Sequence, residues 1–344
     1  MLNLFQPLVS ADKLHPVFLH LCDPQFEPER AVLLEWSDGF VDRDGKFVKE
    51  FQTSFESSLW ELYVFACIKQ LGGSSDFRHP APDFVSQING HDICIEATVT
   101  QPPAGGEPAY GTGAAPVPED LNEFNVESTL RLCTRISAKS NKFLNSHSSL
   151  PHVGTKPYVI AIAPFDRPYP HFAANRPIMA ALYGVYFDEE QTLSIGSPQV
   201  IQRPVDGIAK TPTADVPAAY FLDDGLEHVS ALLYSPVANW GKIRALADAP
   251  EVQTIYTTLH PNPGSLEPTI HRKAKSDYAE DLLDGLYVLH NPFAAHPLSV
   301  DVFDHPRVAQ FVVDSSGDQR FIAPDDFLLV RMLQSIAIDA GVSK

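Results

Sequence analysis

One stretch, Pro157-Tyr158-Val159-Ile160-Ala161-Ile162-Ala163, constrains the fold more than any other because it is a continuous apolar run that begins at a proline and stops at Pro164. A strand with one face in water alternates apolar and polar residues. A strand without polar positions must be covered on both faces. Residues 55–68, FESSLWELYVFACI, are apolar on almost every side, which predicts a buried helix. Together they predict an α/β chain with a central mixed β-sheet flanked by helices. With 344 residues, 44% of them hydrophobic, there is enough apolar material for one large domain or two ordinary ones.

The chemistry concentrates just after that helix. Asn89-Gly90 is a hairpin-turn dipeptide, so residues 84–86 and 93–99 read as paired strands with Asp83 leading into the first. In the second strand Ile93, Ile95, Ala97 and Val99 alternate with Asp92, Cys94, Glu96 and Thr98, which gives a core face and a polar face. Asp83 and Glu96 thus stand at adjoining ends of one hairpin. Two such carboxylates suit a hard cation such as Mg2+, which completes its shell with water and phosphate oxygens and activates water for phosphodiester cleavage. Glu61 is the only charge between Ser57 and Ile68. A buried carboxylate needs a partner or a metal, so Glu61 joins the site, forms an ion pair or sits at the helix edge. Glu56, in Thr53-Ser54-Phe55-Glu56, fits a capping box instead.

Pro82-Asp83, a short hairpin and Glu96-Ala97-Thr98 together resemble the PD-(D/E)xK nuclease superfamily, whose pattern is Asp, hairpin, then Glu-x-Lys. Thr98 stands where the lysine is expected. Branches of that superfamily take the lysine from a neighbouring helix, and the next helical segment here is 127–144. Within it Arg131, Arg135, Lys139 and Lys142 recur at spacings of four, four and three, a basic stripe along one face, with Leu132, Ile136 and Phe143 opposite. Such a stripe is also what an ordinary solvated face looks like. The order helix, hairpin, helix, strand over residues 51–165 resembles the superfamily's restriction-endonuclease-like core. The resemblance implies a nucleic-acid substrate and Mg2+ or Mn2+ held by Asp83, Glu96 and Glu61. It also implies Lys142, with Lys139 second, near the attacking water. Arg131 and Arg135 would contact substrate, Arg135 being suited to clamping a phosphate.

The remaining chain divides into two parts. Residues 1–50 read as a β-rich lead-in, with strands at 31–36 and 40–41 and a hairpin turn at Asp42-Arg43-Asp44-Gly45. Residues 166–344 read as a C-terminal α/β extension, either continuous with the core or separate. It would hold a helix at 178–186, strands at 229–234 and 285–290, and a last helix at 325–340. Ser235, Trp240-Gly241-Lys242 and His290-Asn291-Pro292-Phe293-Ala294 resemble an uncharacterised bacterial branch of the same superfamily in which this half extends the sheet. Lys242 and His290 are second-rank candidates for substrate contact. Residues 101–118 are crowded with Pro, Gly and Ala, as in a flap or a loop insertion.

A net charge of −18 opposes non-specific attraction to a polyanion, so any nucleic-acid contact has to be local. The helical stripe and His271-Arg272-Lys273-Ala274-Lys275 are the local basic segments. No HExxH, GxSxG or P-loop pattern occurs, which removes zinc-protease, serine-hydrolase and P-loop chemistries. Cys22, Cys67, Cys94 and Cys133 are widely spaced and read as reduced core residues. The N-terminus lacks a signal-peptide pattern and no run approaches a membrane span, so the expected location is cytoplasmic. The competing expectation is a nuclease-like fold that has lost catalysis and binds a protein partner or a second copy of itself, in a bacterial defence or mobile-element system. Thr98 and the acidic charge favour it. In the plainest reading Asp83 is a turn residue and Glu96 a solvent-facing strand residue.

Overall fold

In the computed structural model eight strands form one mixed sheet whose spatial order is their order in the chain. They are β1 (Ser74–Ser75), β2 (Phe84–Ile88), β3 (His91–Val99), β4 (Tyr158–Ala163), β5 (Ala231–Tyr234), β6 (Tyr287–His290), β7 (Ala309–Val313) and β8 (Gln319–Ile322). The structure describes residues 2–109, 117–194, 200–211, 214–249, 253–265, 267–314 and 316–335. β4 runs parallel to both its neighbours, β3 and β5, and all six of its residues are buried. The apolar run is therefore the centre of the sheet, and β5 to β8 continue that sheet with residues from the C-terminal half.

One face of the sheet is covered by α1 (Glu27–Trp36), α2 (Phe47–Thr53) and α3 (Phe55–Gln70), the other by α4 (Leu121–Lys142) and α5 (Arg176–Tyr183). Val159 and Ala161 of β4 face the first layer, Tyr158 and Ile160 the second. α3 is apolar all round because it is itself covered. Its Tyr63 packs against Trp36 of α1, its Phe55 against Phe51 of α2, and its Trp60 donates a hydrogen bond to Ala161 O at 2.9 Å. Each aromatic buried this way contributes about 1.5–3 kcal/mol.

Several expectations need correction. The lead-in is helical rather than β-rich, since residues 31–36 belong to α1. Glu27-Pro28-Glu29 places proline and two acids in its first turn, and Val32, Leu33 and Trp36 form its buried face. Asp42-Arg43-Asp44-Gly45 is not a hairpin but a helix entry, where Asp42 Oδ1 accepts from Phe47 N at 3.2 Å and Asp44 Oδ1 from Lys46 N at 3.1 Å. No capping box forms at Glu56. Thr53 ends α2, and the Glu56 carboxylate lies 3.1 Å from His15 Nε2. The last helix is replaced by strand Val330–Ser335, which pairs with Thr254–His260 in a separate three-stranded sheet. The remainder of the expected helix, 336–340, lies outside the described residues. The strand wins because its pairing partner is distant in sequence, information that a local helix-start signal lacks. Part of the expected flap, 110–116, also lies outside the described residues. Cys67, Cys94 and Cys133 are buried, whereas Cys22 is exposed.

Candidate active site

The hairpin forms as its turn dipeptide requires. Asn89 and Gly90 have φ of 50° and 82°, and β2 pairs antiparallel to β3 from Ile88–His91 to Phe84–Ile95. Asp83 lies one residue beyond the last pair, where β3 runs on without β2. Its Oδ2 accepts the Ala97 N–H at 2.7 Å, satisfying a backbone donor that β2 leaves free. Arg43 holds the segment before Asp83. Its Nη1 donates to His79 O at 2.6 Å and Pro82 O at 3.2 Å, and its Nη2 stands 4.0 Å from Asp83 Oδ1.

The polar face of β3 is not open to water, as expected for a solvent-facing strand, but lies under α4. Glu96 is 0% exposed and Thr98 7%. α4 starts earlier than the sequence suggests, at Leu121, capped by Asp120, whose side chain accepts from Glu123 N. It ends in a π turn, Phe143–His147. Leu132, Cys133 and Ile136 bury its apolar side, which fixes its rotation so that the basic stripe passes over β3. Lys139 and Lys142 each bring Nζ to 2.7 Å from Glu96 Oε1. Arg135 donates to Gln101 Oε1 at 2.7 Å, one turn further from Glu96, and Arg131 lies a turn beyond that, partly exposed. The stripe is thus divided, two lysines turned inward to one carboxylate and two arginines spread along the outer surface.

Glu61 approaches from the other side of the sheet, because α3 packs on the Ala97 face and α4 on the Glu96 face. Removal from water and then the nearby Asp83 charge push the Glu61 carboxyl up to about 8, with Arg43 opposing. Burial and then the Glu96 charge push Asp83 up to about 6, against Lys139 and Lys142. Burial also acts on Glu96, but the two lysines outweigh it and hold this carboxylate below its ordinary value. Glu96 is the ionised anchor, and the other two carboxyls carry the strain of crowded negative charge.

Mg2+ is commonly held by one or two carboxylates with water and phosphate oxygens filling the shell. Asp83 and Glu96 fit that requirement. Glu96 Oε2 is buried with no hydrogen-bond partner, and a cation would offset the burial and the like-charge repulsion that together raise Asp83 and Glu61. The three-carboxylate cage expected with Glu61 is not formed. Among the described residues no three His, Cys, Asp or Glu side chains gather at metal-binding spacing.

Lys242 and His290 are structural. Lys242 is fully buried, ion-paired to Glu280, and donates to Asp281 O at 3.0 Å and Asp284 O at 2.8 Å, with Arg331 on the same carboxylate at 2.6 Å. His290 Nε2 bonds Gln310 Oε1 at 2.9 Å in the core. Arg43 and His147 were not singled out from sequence. Arg43 sits in a turn that reads as a hairpin, and His147 lies past the helix on a π turn that no periodicity announces. The His271–Lys275 segment lies largely on strand Thr269–Ala274, exposed and part of the three-stranded sheet rather than of this hairpin's sheet. Among the described residues no helix is long and apolar enough to cross a membrane. Set against known proteins, the chain matches no family model, no curated protein and no solved structure.

Proposed function

We propose that the chain is a metal-dependent nuclease hydrolysing phosphodiester bonds of DNA or RNA, with residues 51–165 as a restriction-endonuclease-like core. The observation that carries this reading is the convergence of Lys139 and Lys142 on Glu96. It returns to the polar face of β3 the ammonium that Thr98 does not supply. The succession of α3, the β2–β3 hairpin, α4 and β4 supports it. In this reading Asp83 and Glu96 hold Mg2+ or Mn2+, and a bound cation supplies Lewis acidity and a water of lowered pKa. Asp83, fixed by the Ala97 N–H through Oδ2, would offer Oδ1, which stands 4.0 Å from Arg43 Nη2, to the cation. Lys142, whose side chain is 48% exposed, meets the scissile phosphate and answers the charge that builds on it, while Lys139 keeps Glu96 ionised. Arg131 and Arg135 bind the substrate backbone outside the reacting centre.

The test is a cleavage assay on single- and double-stranded DNA and on RNA with Mg2+ or Mn2+, comparing the native chain with Glu96→Gln. Cleavage that requires the cation and is lost in the variant is expected; cleavage unchanged by the variant refutes the proposal. The second reading, a binding or assembly module without catalysis, is favoured by the two lysines that already neutralise Glu96 and by the −18 charge. It predicts nucleic-acid or protein binding with no cleavage under any cation.

A further inference from the structure

Two histidines from different loops lie face to face beside Asp83. His79 belongs to the segment between β1 and β2, His152 to the segment between the π turn and β4, and their rings stack with centroids 3.7 Å apart and planes 13° from parallel. Three contacts tie the pair to the hairpin site. His152 Nε2 bonds Ala81 O at 2.6 Å, two residues before Asp83. Arg43 Nη1 donates to His79 O at 2.6 Å while its Nη2 stands 4.0 Å from Asp83 Oδ1, so one guanidinium spans the ring pair and the acid. On the other side His152 lies within electrostatic reach of His147, which is 3.8 Å from Glu96. The stack is held firmly yet left open. Pro80 and Pro82 fix φ on either side of Ala81, and Lys156 Nζ donates to His152 O at 2.8 Å. The His79 side chain is still 32% exposed and stands 3.7 Å from Asp76, and among the described residues no further ring packs on either imidazole.

We propose that the His79–His152 stack is a base platform and that the site takes a single-stranded nucleic acid, one base lying on His79 while its phosphate reaches Lys142 and the Asp83–Glu96 carboxylates. The proposal rests on the nuclease reading and names its substrate form. A flat ring uncovered on one face is a surface on which a nucleobase stacks, and every base offers a π face whatever the sequence. In a duplex the bases already stack on one another. A base therefore reaches a side-chain ring only from a single strand, an overhang or a flipped position. Stacking also suits a chain of net charge −18, because a site that grips a base depends less on cations than one that grips phosphates alone. His79 and His152 position the substrate and take no part in breaking its bonds.

The probe is a single-stranded oligonucleotide carrying 2-aminopurine, whose fluorescence reports stacking, titrated with the full chain in Ca2+ so that binding is read apart from cleavage. The native chain is expected to change the fluorescence and to bind this strand about tenfold or more tightly than a blunt duplex of the same sequence. His79→Ala is expected to lose the fluorescence change and to bind the strand about tenfold more weakly, the size of one base–aromatic stack. His79→Phe, which keeps a flat ring, should restore both. Circular dichroism accompanies the variants. If His79→Ala fails to fold, the unmutated chain decides alone through its affinity for an abasic strand of the same length, which should be about tenfold weaker. Equal affinity for the normal and abasic strands, or single-strand binding unchanged in a folded His79→Ala, overturns the platform, and Mn2+-dependent cleavage by the native chain then leaves the nuclease reading standing. Base-dependent binding lost in His79→Ala without cleavage under any cation keeps the platform and overturns the nuclease reading. No binding of any strand overturns both.

Discussion

Replacing Glu61 by Gln should change how stability depends on pH. Its folded pKa of about 8 lies above the ordinary 4.5, chiefly from burial and then from Asp83. A group shifted upward favours the native state fully below its unfolded pKa, and that contribution is lost as pH rises through the folded value. Each unit is worth about 1.4 kcal/mol, so between pH 5 and pH 8 full conversion gives about 3.5 kcal/mol of lost stability. Glu61 is only partly closed to solvent, which reduces the expected loss to about 2 kcal/mol. Gln has nearly the same shape and no charge, so urea unfolding of both proteins at the two pH values isolates this group. Glu61→Gln should gain about 2 kcal/mol on the native chain as pH rises from 5 to 8. A difference independent of pH would refute the reading of Glu61 as a carboxyl raised by burial and by the neighbouring Asp83.

Four further outcomes follow from the same geometry. Removing one lysine with Lys142→Met leaves Glu96 paired to Lys139 and should cost about 1 kcal/mol or less in urea unfolding, since Lys142 is half exposed. The Lys139→Met, Lys142→Met pair strands a buried carboxylate and should cost about 3–5 kcal/mol, more than the sum of the singles. Asp83→Asn can still accept the Ala97 N–H and should unfold within about 1 kcal/mol of the native chain while weakening Mn2+ binding measured by calorimetry. Arg331→Met leaves Glu280 with Lys242 and Tyr278 but takes the side-chain donor from buried Val237 O and one of two donors from Asn239 Oδ1; it should cost about 3–5 kcal/mol without altering cation binding, as its cluster lies outside the hairpin site.

What sequence could reveal tracks how local the cause is. β4 and α3 were legible because an apolar residue at every position has one physical meaning, and the hairpin because Asn-Gly accepts the positive φ its turn needs. The approach of Lys139 to Glu96 was anticipated only as a relocated lysine. Its cause is the rotation of α4 set by Leu132 and Ile136 against the sheet, and periodicity alone does show which face is basic. By contrast residues 31–36 carry β-branched and apolar side chains that suit a strand, yet the Glu27-Pro28-Glu29 start and the cover needed by α3 make them a helix. Residues 330–335 have a helix-start signal before them and a distant strand to pair with, and the distant pairing prevails. Burial of Glu96 was hidden for the same reason. A polar face reads as wet until the element that covers it is placed.

The central claim, that Glu96 with its two lysines anchors a metal-dependent phosphodiesterase, is tested most directly by one measurement. It is the rate of cleavage of end-labelled DNA and RNA with and without Mn2+, for the native chain and Glu96→Gln side by side. Cation-dependent cleavage that falls by at least about a hundredfold in a folded Glu96→Gln is the predicted result. Equal rates in the two proteins, or no cleavage by the native chain under any divalent cation, would contradict it.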